Sequence, residues 1–315
     1  MIRREEFSSE CIIVTSGSAY LDIDAYACCI AMRELMELKG INAIAYSSAS
    51  CNHSVCQSLI EEAKIENSIP LKYSGKSLQY VIVDASDPEY LQKDIPLENI
   101  SAVYDHHTGF EKYWKDRIGD NSHIEFIGAA ATLVFNEWKK SGMQDRMTHS
   151  ASKLLIAGIL DNTLNLTSSN TACDDIRAFE ELCRKENIGK EWCASYFSEV
   201  RKSIESDLKN ALFGDMKTFR NNNILPEKVG QICIWEAGNI LGRLPEIRQW
   251  LNNMFESWMI NIVDIKHHCS YFVCDDNYYR GKIENTFEVD FDSGAAKSDV
   301  PYLRKEIIKK LNSDN

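Results

Sequence analysis

The sequence predicts an α/β protein of two domains, a parallel sheet with helices on both faces followed by a smaller α+β domain. Short runs rich in valine and isoleucine alternate with amphipathic stretches through the first half, which is typical of βαβ units. After about residue 190, segments alternate apolar and polar residues in the manner of strands. A chain of 315 residues also suits two cores better than one. We place the domains at 1–190 and 206–315, with a linking helix at 191–205.

In the first domain, buried β-branched runs predict strands, and apolar residues recurring at helical spacing predict helices. The expected strands are 11–17, 41–48, 78–86 and 100–107, and the expected helices are 24–39, capped by Asp24, 54–66, 128–142 and 149–164. In the second domain we expect a long helix at 190–212, strands at 229–237, 258–265, 270–276 and 285–291, and a final helix from residue 300.

The composition is that of a globular protein with an acidic surface. The formal net charge of −12 disfavours nucleic acid as a stable partner, because like charges repel. The eleven irregularly spaced cysteines indicate reduced thiols of a cytoplasmic protein. No apolar stretch reaches the roughly 18 residues of a membrane span, so no membrane partner is expected. Assembly stays open between a monomer and a homodimer.

Acidic and imidazole side chains follow three predicted strands, at the point where each strand ends. They are Asp22 and Asp24 after the first strand, Asp84 after the third, and Asp105, His106 and His107 after the fourth. Ligands of such sheets bind beyond the carboxyl ends of the strands, so we expect these groups to meet. A further acidic group, Asp161, lies near the end of the helical run 149–164.

This set of side chains favours divalent cations. Carboxylates with imidazoles suit Mn²⁺, Mg²⁺, Fe²⁺ or Co²⁺, and two ions bridged by a carboxylate can deprotonate a water that attacks phosphorus. Neighbouring side chains of an extended run point to opposite sides. His106 can therefore face an ion while His107 faces an incoming phosphate, and Asp105 either ligates an ion or orients an imidazole.

Each acidic residue also has a structural interpretation. Asp24 alone could cap a helix, Asp84 alone could build a turn, and Asp161 alone could belong to a helix end. That all of them share one sheet edge by accident is the weaker interpretation.

The runs DIDA, VIVD, YDHH and GILDNTLNL resemble the four motifs of the DHH phosphoesterases. Their order and spacing resemble the branch of the manganese-dependent family II inorganic pyrophosphatases and exopolyphosphatases. The resemblance implies a catalytic first domain holding two Mn²⁺ ions, with Co²⁺ or Mg²⁺ as substitutes, and a substrate-binding second domain. It implies Asp22 and Asp24 as ligands of one ion each, Asp84 as the bridging ligand, His106 as an ion ligand, His107 as a phosphate contact, and Asp161 as the fourth-motif ligand. Asp84 and His107 are then the residues expected to act in catalysis.

Two departures from the family pattern bear on this expectation. Family pyrophosphatases carry a histidine four residues before the first aspartate, where this chain has Ser18, so Ser18 or a water is expected at the vacant ligand place. The family also closes its cleft with a Ser-Arg-Lys stretch before a proline. Here Ala295 and Ala296 stand where an arginine is expected, and Lys297 is the candidate phosphate contact.

The resemblance implies hydrolysis of phosphoanhydride bonds in pyrophosphate or short polyphosphate by an ion-activated water. One alternative is a phosphodiesterase acting on cyclic dinucleotides or very short oligonucleotides. Such relatives usually carry a glycine-rich motif in the second domain, and this chain has none. Another alternative is a degenerate member that only binds a phosphorylated ligand, which the intact aspartate set disfavours.

Overall fold

A computed structural model describes residues 9–93, 95–219, 224–292 and 294–313. The chain divides into two compact units, Met1–Tyr196 and Phe197–Asn315. This division falls inside the segment expected to link the domains, and the domain bounds given above stay predictions.

The first unit is built on a five-stranded parallel sheet in the order β2-β1-β3-β4-β5. Its strands are β1 Cys11–Thr15, β2 Ala43–Ala45, β3 Leu78–Val83, β4 Ile100–Asp105 and β5 Ser122–Ile124. Thr15 pairs with Ile82, and Val83 pairs with Tyr104. The carboxyl ends of the three central strands therefore lie side by side.

Helices cover both faces of this sheet. They are α1 Ile23–Leu38, α2 Gln57–Ile60, α3 Glu111–Ile118, α4 Ala130–Lys140, α5 His149–Asn162, α6 Cys173–Glu186 and α7 Lys190–Ser206, which crosses the division between the units. On one face, Ile13, Ile82 and Val103 share a core with Trp114 of α3. Ile12, which points to the opposite face, is also buried. That face is covered by α1, which packs against α4 and α5.

The second unit is built on a six-stranded mixed sheet in the order β10-β11-β9-β8-β7-β6. Its strands are β6 Lys217–Thr218, β7 Lys228–Ile234, β8 Trp258–Asp264, β9 Cys269–Cys274, β10 Phe291–Asp292 and β11 Ala295–Ser298. Its helices are α8 Leu208–Gly214, α9 Gly238–Gly242, α10 Leu244–Met254, α11 Asn277–Phe287 and α12 Arg304–Ser313. Strands β7 and β8 are parallel, while β8 and β9 are antiparallel. The predicted fold class is therefore confirmed.

The helix predicted at 54–66 is mostly wrong, because only Gln57–Ile60 are helical. Tertiary hydrogen bonds hold the backbone that follows. The Tyr26 hydroxyl donates to the Ala63 carbonyl at 2.8 Å and accepts from the Ile65 amide at 3.3 Å. These bonds occupy groups that a continued helix needs for its own ladder.

The strand predicted at 285–291 is also wrong over most of its length. Helix α11 extends to Phe287, and Ile283 and Phe287, four residues apart, bury one face of it. The alternation of apolar residues therefore spans a helix end and a short strand, Phe291–Asp292. In addition, the helix predicted at 190–212 is divided into α7 and α8, because Asp207 has non-helical dihedral angles (φ −140°, ψ 55°).

Candidate metal centre

Asp84 follows β3 and presents a buried carboxylate at the sheet edge. Its φ of +54° is left-handed, a conformation that aspartate tolerates better than most residues. Its amide donates to the Tyr104 carbonyl at 2.8 Å, which fixes it to the neighbouring strand. The side chain is 5% exposed, and Oδ1 has no hydrogen-bond partner among the described residues.

His106 follows β4 and faces Asp84. Its Nδ1 lies 3.2 Å from the Ile127 carbonyl oxygen, which can only accept, so Nδ1 carries the proton. Its Nε2 is buried without a hydrogen-bond partner in the described part of the chain and lies 3.4 Å from Asp84 Oδ1. With a neutral imidazole, two acceptor atoms face each other, and this arrangement requires a proton or a metal ion.

Asp105, at the end of β4, orients the side chain of His107. Its Oδ1 accepts from the His107 amide at 3.1 Å and from His107 Nδ1 at 2.8 Å. Burial raises the pKa of Asp105, but the hydrogen bond and charge of His107 outweigh burial and hold the pKa below its ordinary value. Asp105 therefore stays ionised. His107, whose side chain is 56% exposed, keeps Nε2 for a ligand.

Asp22 reaches Asp84 from the start of α1. It is the N-cap of this helix, since its Oδ1 accepts from the Ala25 amide at 2.9 Å, so the predicted cap at Asp24 is wrong by two residues. Burial and then the neighbouring Asp22 carboxylate raise the pKa of Asp84 well above its ordinary value. Asp84 is therefore close enough to Asp22 for its charge to act on the Asp84 carboxyl, and Asp84 Oδ1 lies 3.4 Å from His106 Nε2.

Asp24 lies in the first turn of α1 and is fully buried. It accepts from the amides of Ala130 and Ala131, at the start of α4, and from the Asn162 side-chain amide, each at 2.8 Å. A helix N-terminus stabilises negative charge. Burial and then the charge of Asp84 nevertheless raise the pKa of Asp24 well above its ordinary value. Asp24 is thus a neighbour of the Asp84 carboxylate whose nitrogen donors come from α4 and α5, while the Cys28 thiol of α1 donates to its Oδ1 at 3.6 Å.

Asp161 lies near the end of α5 and bonds to a tyrosine. Its Oδ1 accepts from the Tyr196 hydroxyl at 2.9 Å. Burial raises the pKa of Asp161 to about 7, with Tyr196 lowering it and Asp22 raising it. Residues 164–166 that follow all have φ between +50° and +64°, which costs roughly 1–2 kcal/mol for each non-glycine residue. Strain of this kind concentrates at functional sites.

Two predicted site residues lie outside these contacts. Ser18 is exposed, and both its amide and its Oγ donate to the Tyr90 carbonyl, at 2.7 and 2.9 Å. Lys297 is an exposed residue of β11 in the second unit, and its Nζ lies 3.0 Å from Asp299. Their roles stay predictions.

The group around Asp84 fits a divalent cation. Asp84, His106 and His107 each offer a ligand atom, and these atoms lie within 4.8 Å of one another. Two of the groups carry buried atoms without a described hydrogen-bond partner. One carboxylate oxygen with imidazole nitrogens is a donor set that suits Mn²⁺ and similar ions.

The chain is similar in sequence to several curated proteins. No protein-family model matches the chain. A Streptococcus thermophilus protein named as a manganese-dependent inorganic pyrophosphatase is 24% identical over 196 residues, which are 59% of this chain and 61% of the relative. A Lactobacillus helveticus protein of the same name is 24% identical over 219 residues, 69% of each chain. The match to the first of these thus spans about three fifths of its length.

Solved structures show the fold over nearly the whole chain. A structure from Methanococcus jannaschii described as a family II inorganic pyrophosphatase superposes with a TM-score of 0.70 at 18% identity, covering 96% of this chain and 98% of that one. An exopolyphosphatase-related protein from Bacteroides fragilis gives a TM-score of 0.53 at 12% identity, covering 97% and 92%. The predicted resemblance to manganese-dependent inorganic pyrophosphatases is confirmed in sequence, and the fold of a family II inorganic pyrophosphatase is confirmed in structure.

The DHH motifs alone did not reveal every residue that shapes this site. Asn162, Tyr196 and the Ile127 carbonyl were missed. The signal for Asn162 was its place beside Asp161, but successive helical side chains diverge by about 100°, and the sequence does not say which of the two faces the carboxylates. For Tyr196 and Ile127 the sequence carries no signal, since their contacts depend on tertiary packing.

Proposed function

We propose that this chain is a manganese-dependent phosphohydrolase that cleaves phosphoanhydride bonds of pyrophosphate or short polyphosphate. The observation that carries the proposal is the pair Asp84 Oδ1 and His106 Nε2, two buried acceptor atoms 3.4 Å apart that a metal ion between them would satisfy. The relatives named as manganese-dependent inorganic pyrophosphatases support both the metal and the substrate class.

In this proposal Asp22, Asp84 and His106 would hold the manganese ions, and Asp84 would be the carboxylate common to the site, since Asp84 Oδ1 lies 3.4 Å from His106 Nε2 and feels the charge of Asp22. Asp24 and Asp161 complete the predicted ligand set. When bound, the ions supply a water of lowered pKa and neutralise phosphoryl charge. Burial and then the neighbouring carboxylates raise the pKa of Asp84 and of Asp24, and a bound cation would favour their ionised forms.

His107 is the proposed phosphate contact of the first unit. Its Nδ1 donates to Asp105 at 2.8 Å, which fixes the ring, and in the imidazolium form Nε2 also carries a proton that it can donate to a phosphoryl oxygen. In the protonated form this hydrogen bond is charge-assisted and roughly twice as strong as a neutral one. Lys297 is the proposed phosphate contact of the second unit.

The cellular location and the oligomeric state of the chain are also proposals. Among the described helices, none has the length and apolar character needed to cross a bilayer. We propose a cytoplasmic protein with a small anionic substrate and without a stable nucleic-acid partner. Light scattering of the purified chain decides between a monomer and a homodimer.

The decisive experiment is phosphate release from pyrophosphate, tripolyphosphate, long polyphosphate and a dinucleotide, with Mn²⁺, Mg²⁺ or Co²⁺ and with EDTA. Asp84→Asn keeps the shape and the left-handed turn but removes the charge, and we expect a loss of about 100-fold or more, since even indirect partners of metal ligands cost 10–100-fold. The matched control is Asp116→Asn, an exposed aspartate paired with Lys112. Unchanged release in Asp84→Asn refutes the site, and release of mononucleotides alone favours the phosphodiesterase.

A further inference from the structure

The last two residues of α5 contact different parts of the first unit. Asp161 Oδ1 accepts from the Tyr196 hydroxyl at 2.9 Å, whereas Asn162 Nδ2 donates to Asp24 Oδ2 at 2.8 Å. Asp24 in turn lies close enough to Asp84 and His106 for their charges to act on it. The α5 side chain bonded directly to this part of the site is therefore an amide.

The packing of α5 supports the same assignment independently. Gly158 lies four residues before Asn162, so both occupy one face of the helix. A Cβ on Gly158 would lie 3.1 Å from Asp24 Oδ1 and 3.1 Å from Asp24 Cα. Two successive turns of α5 thus approach Asp24 closely, and Asp161 lies on a different face.

We propose that Asn162, rather than Asp161, is the residue through which α5 acts on the cation site, as the positioning residue of Asp24. This inference rests on the proposed function, but it assigns the contribution of α5 to Asn162 in place of the Asp161 ligand that the family resemblance implies. The Asn162 amide and the Ala130 amide share Asp24 Oδ2, and the Ala131 amide takes Oδ1. These donors fix the orientation of the carboxylate beside Asp84.

The assignment also concerns charge. An amide places a donor, and no second negative charge, against the buried Asp24. An aspartate at position 162 would bring two carboxylates into contact, and such a pair is stable only with a cation or a shared proton. The Asn162→Asp protein should therefore depend on metal for its stability more than the natural chain does.

The test measures Mn²⁺ binding to the full chain by calorimetry and by the electron paramagnetic resonance of free Mn²⁺, with thermal unfolding alongside. Asn162→Ala is expected to weaken Mn²⁺ binding by about 10-fold, in the range found for residues that support metal ligands. Asn162→Asp is expected to lower the metal-free melting temperature and to show a larger Mn²⁺-induced rise than wild type. The matched control is Asn210→Asp, because Asn210 Nδ2 bonds to Asp207 at 2.7 Å on an exposed surface.

Wild-type Mn²⁺ affinity in Asn162→Ala, together with loss of binding in Asp161→Asn, overturns the assignment. If Asn162→Ala does not fold, the Mn²⁺-induced rise of Asn162→Asp decides, and a rise equal to that of wild type overturns it. If Mn²⁺ binds as described but no substrate releases phosphate, the proposed function fails while the role of Asn162 stands.

Discussion

Gly128, just before α4, lies where the first unit has no room for a side chain. A Cβ there would lie 2.6 Å from both Asp175 Oδ2 and Thr163 Cγ2. Asp175 is fully buried, and its Oδ2 accepts from the Gly128 amide at 2.8 Å and the Ala172 amide at 2.7 Å. Overpacking costs roughly 1–3 kcal/mol, and disturbing a hydrogen bond to a charged group costs about 1.5–3 kcal/mol. We therefore predict that Gly128→Ala lowers the free energy of unfolding by about 3–5 kcal/mol.

Thermal unfolding followed by circular dichroism measures this effect. For a unit of this size, 1 kcal/mol shifts the melting temperature by about 2–4 °C, so a fall of roughly 6–20 °C is expected. The control is Gly214→Ala at the end of α8, where a Cβ meets open space and the change should stay within about 1 kcal/mol. A melting temperature within about 2 °C of wild type in Gly128→Ala would show that the backbone before α4 moves to make room for the methyl group, and that Asp175 does not hold this backbone rigidly.

Two further predictions concern buried polar side chains of the first unit. Burial lowers the pKa of His123 below its ordinary 6.5, so the unfolded chain binds this proton more tightly than the folded chain does. The stability that His123 contributes should therefore be full above pH 6.5 and fall as the pH drops below it. Urea unfolding between pH 5 and 8 should show a weaker fall in His123→Gln, and an equal fall contradicts the assignment of this pH dependence to His123. Tyr196→Phe removes the donor to Asp161 and should lower the free energy of unfolding in urea by about 1–3 kcal/mol. The control is Tyr90→Phe, at a side chain that is 63% exposed, where the change should stay within about 0.5 kcal/mol. Equal losses of stability in the two variants would show that the hydroxyl of Tyr196 is dispensable.

The central strands could be predicted because their residues are buried on both faces and form continuous apolar runs. Strands β1, β3 and β4 begin within one residue of their predicted starts. The approach of His106 to Asp84 could also be predicted, because the carboxyl ends of neighbouring parallel strands meet at one edge. The topology of a parallel sheet was sufficient for this prediction.

The rest depended on contacts that no local pattern encodes. Which of Asp161 and Asn162 faces Asp24 is set by the rotation of α5 about its axis, and Gly158 permits that rotation by allowing close approach. The end of α2 depends on the hydroxyl of Tyr26, which lies 37 positions along the sequence from its partner Ala63. Such long-range hydrogen bonds override helical periodicity, so the sequence pattern alone misleads there.

The wide spacing of the site along the chain has a consequence for synthesis. The groups around Asp84 begin with Asp22 and end with Asn162, and the amides that hold Asp24 belong to α4. A nascent chain that has not yet extruded α5 from the ribosome lacks the Asn162 donor, and a chain that has not yet extruded α4 also lacks the two amides that hold Asp24. Metal capture should therefore start late in translation, and amino-terminal fragments that stop short of this helix should bind manganese poorly.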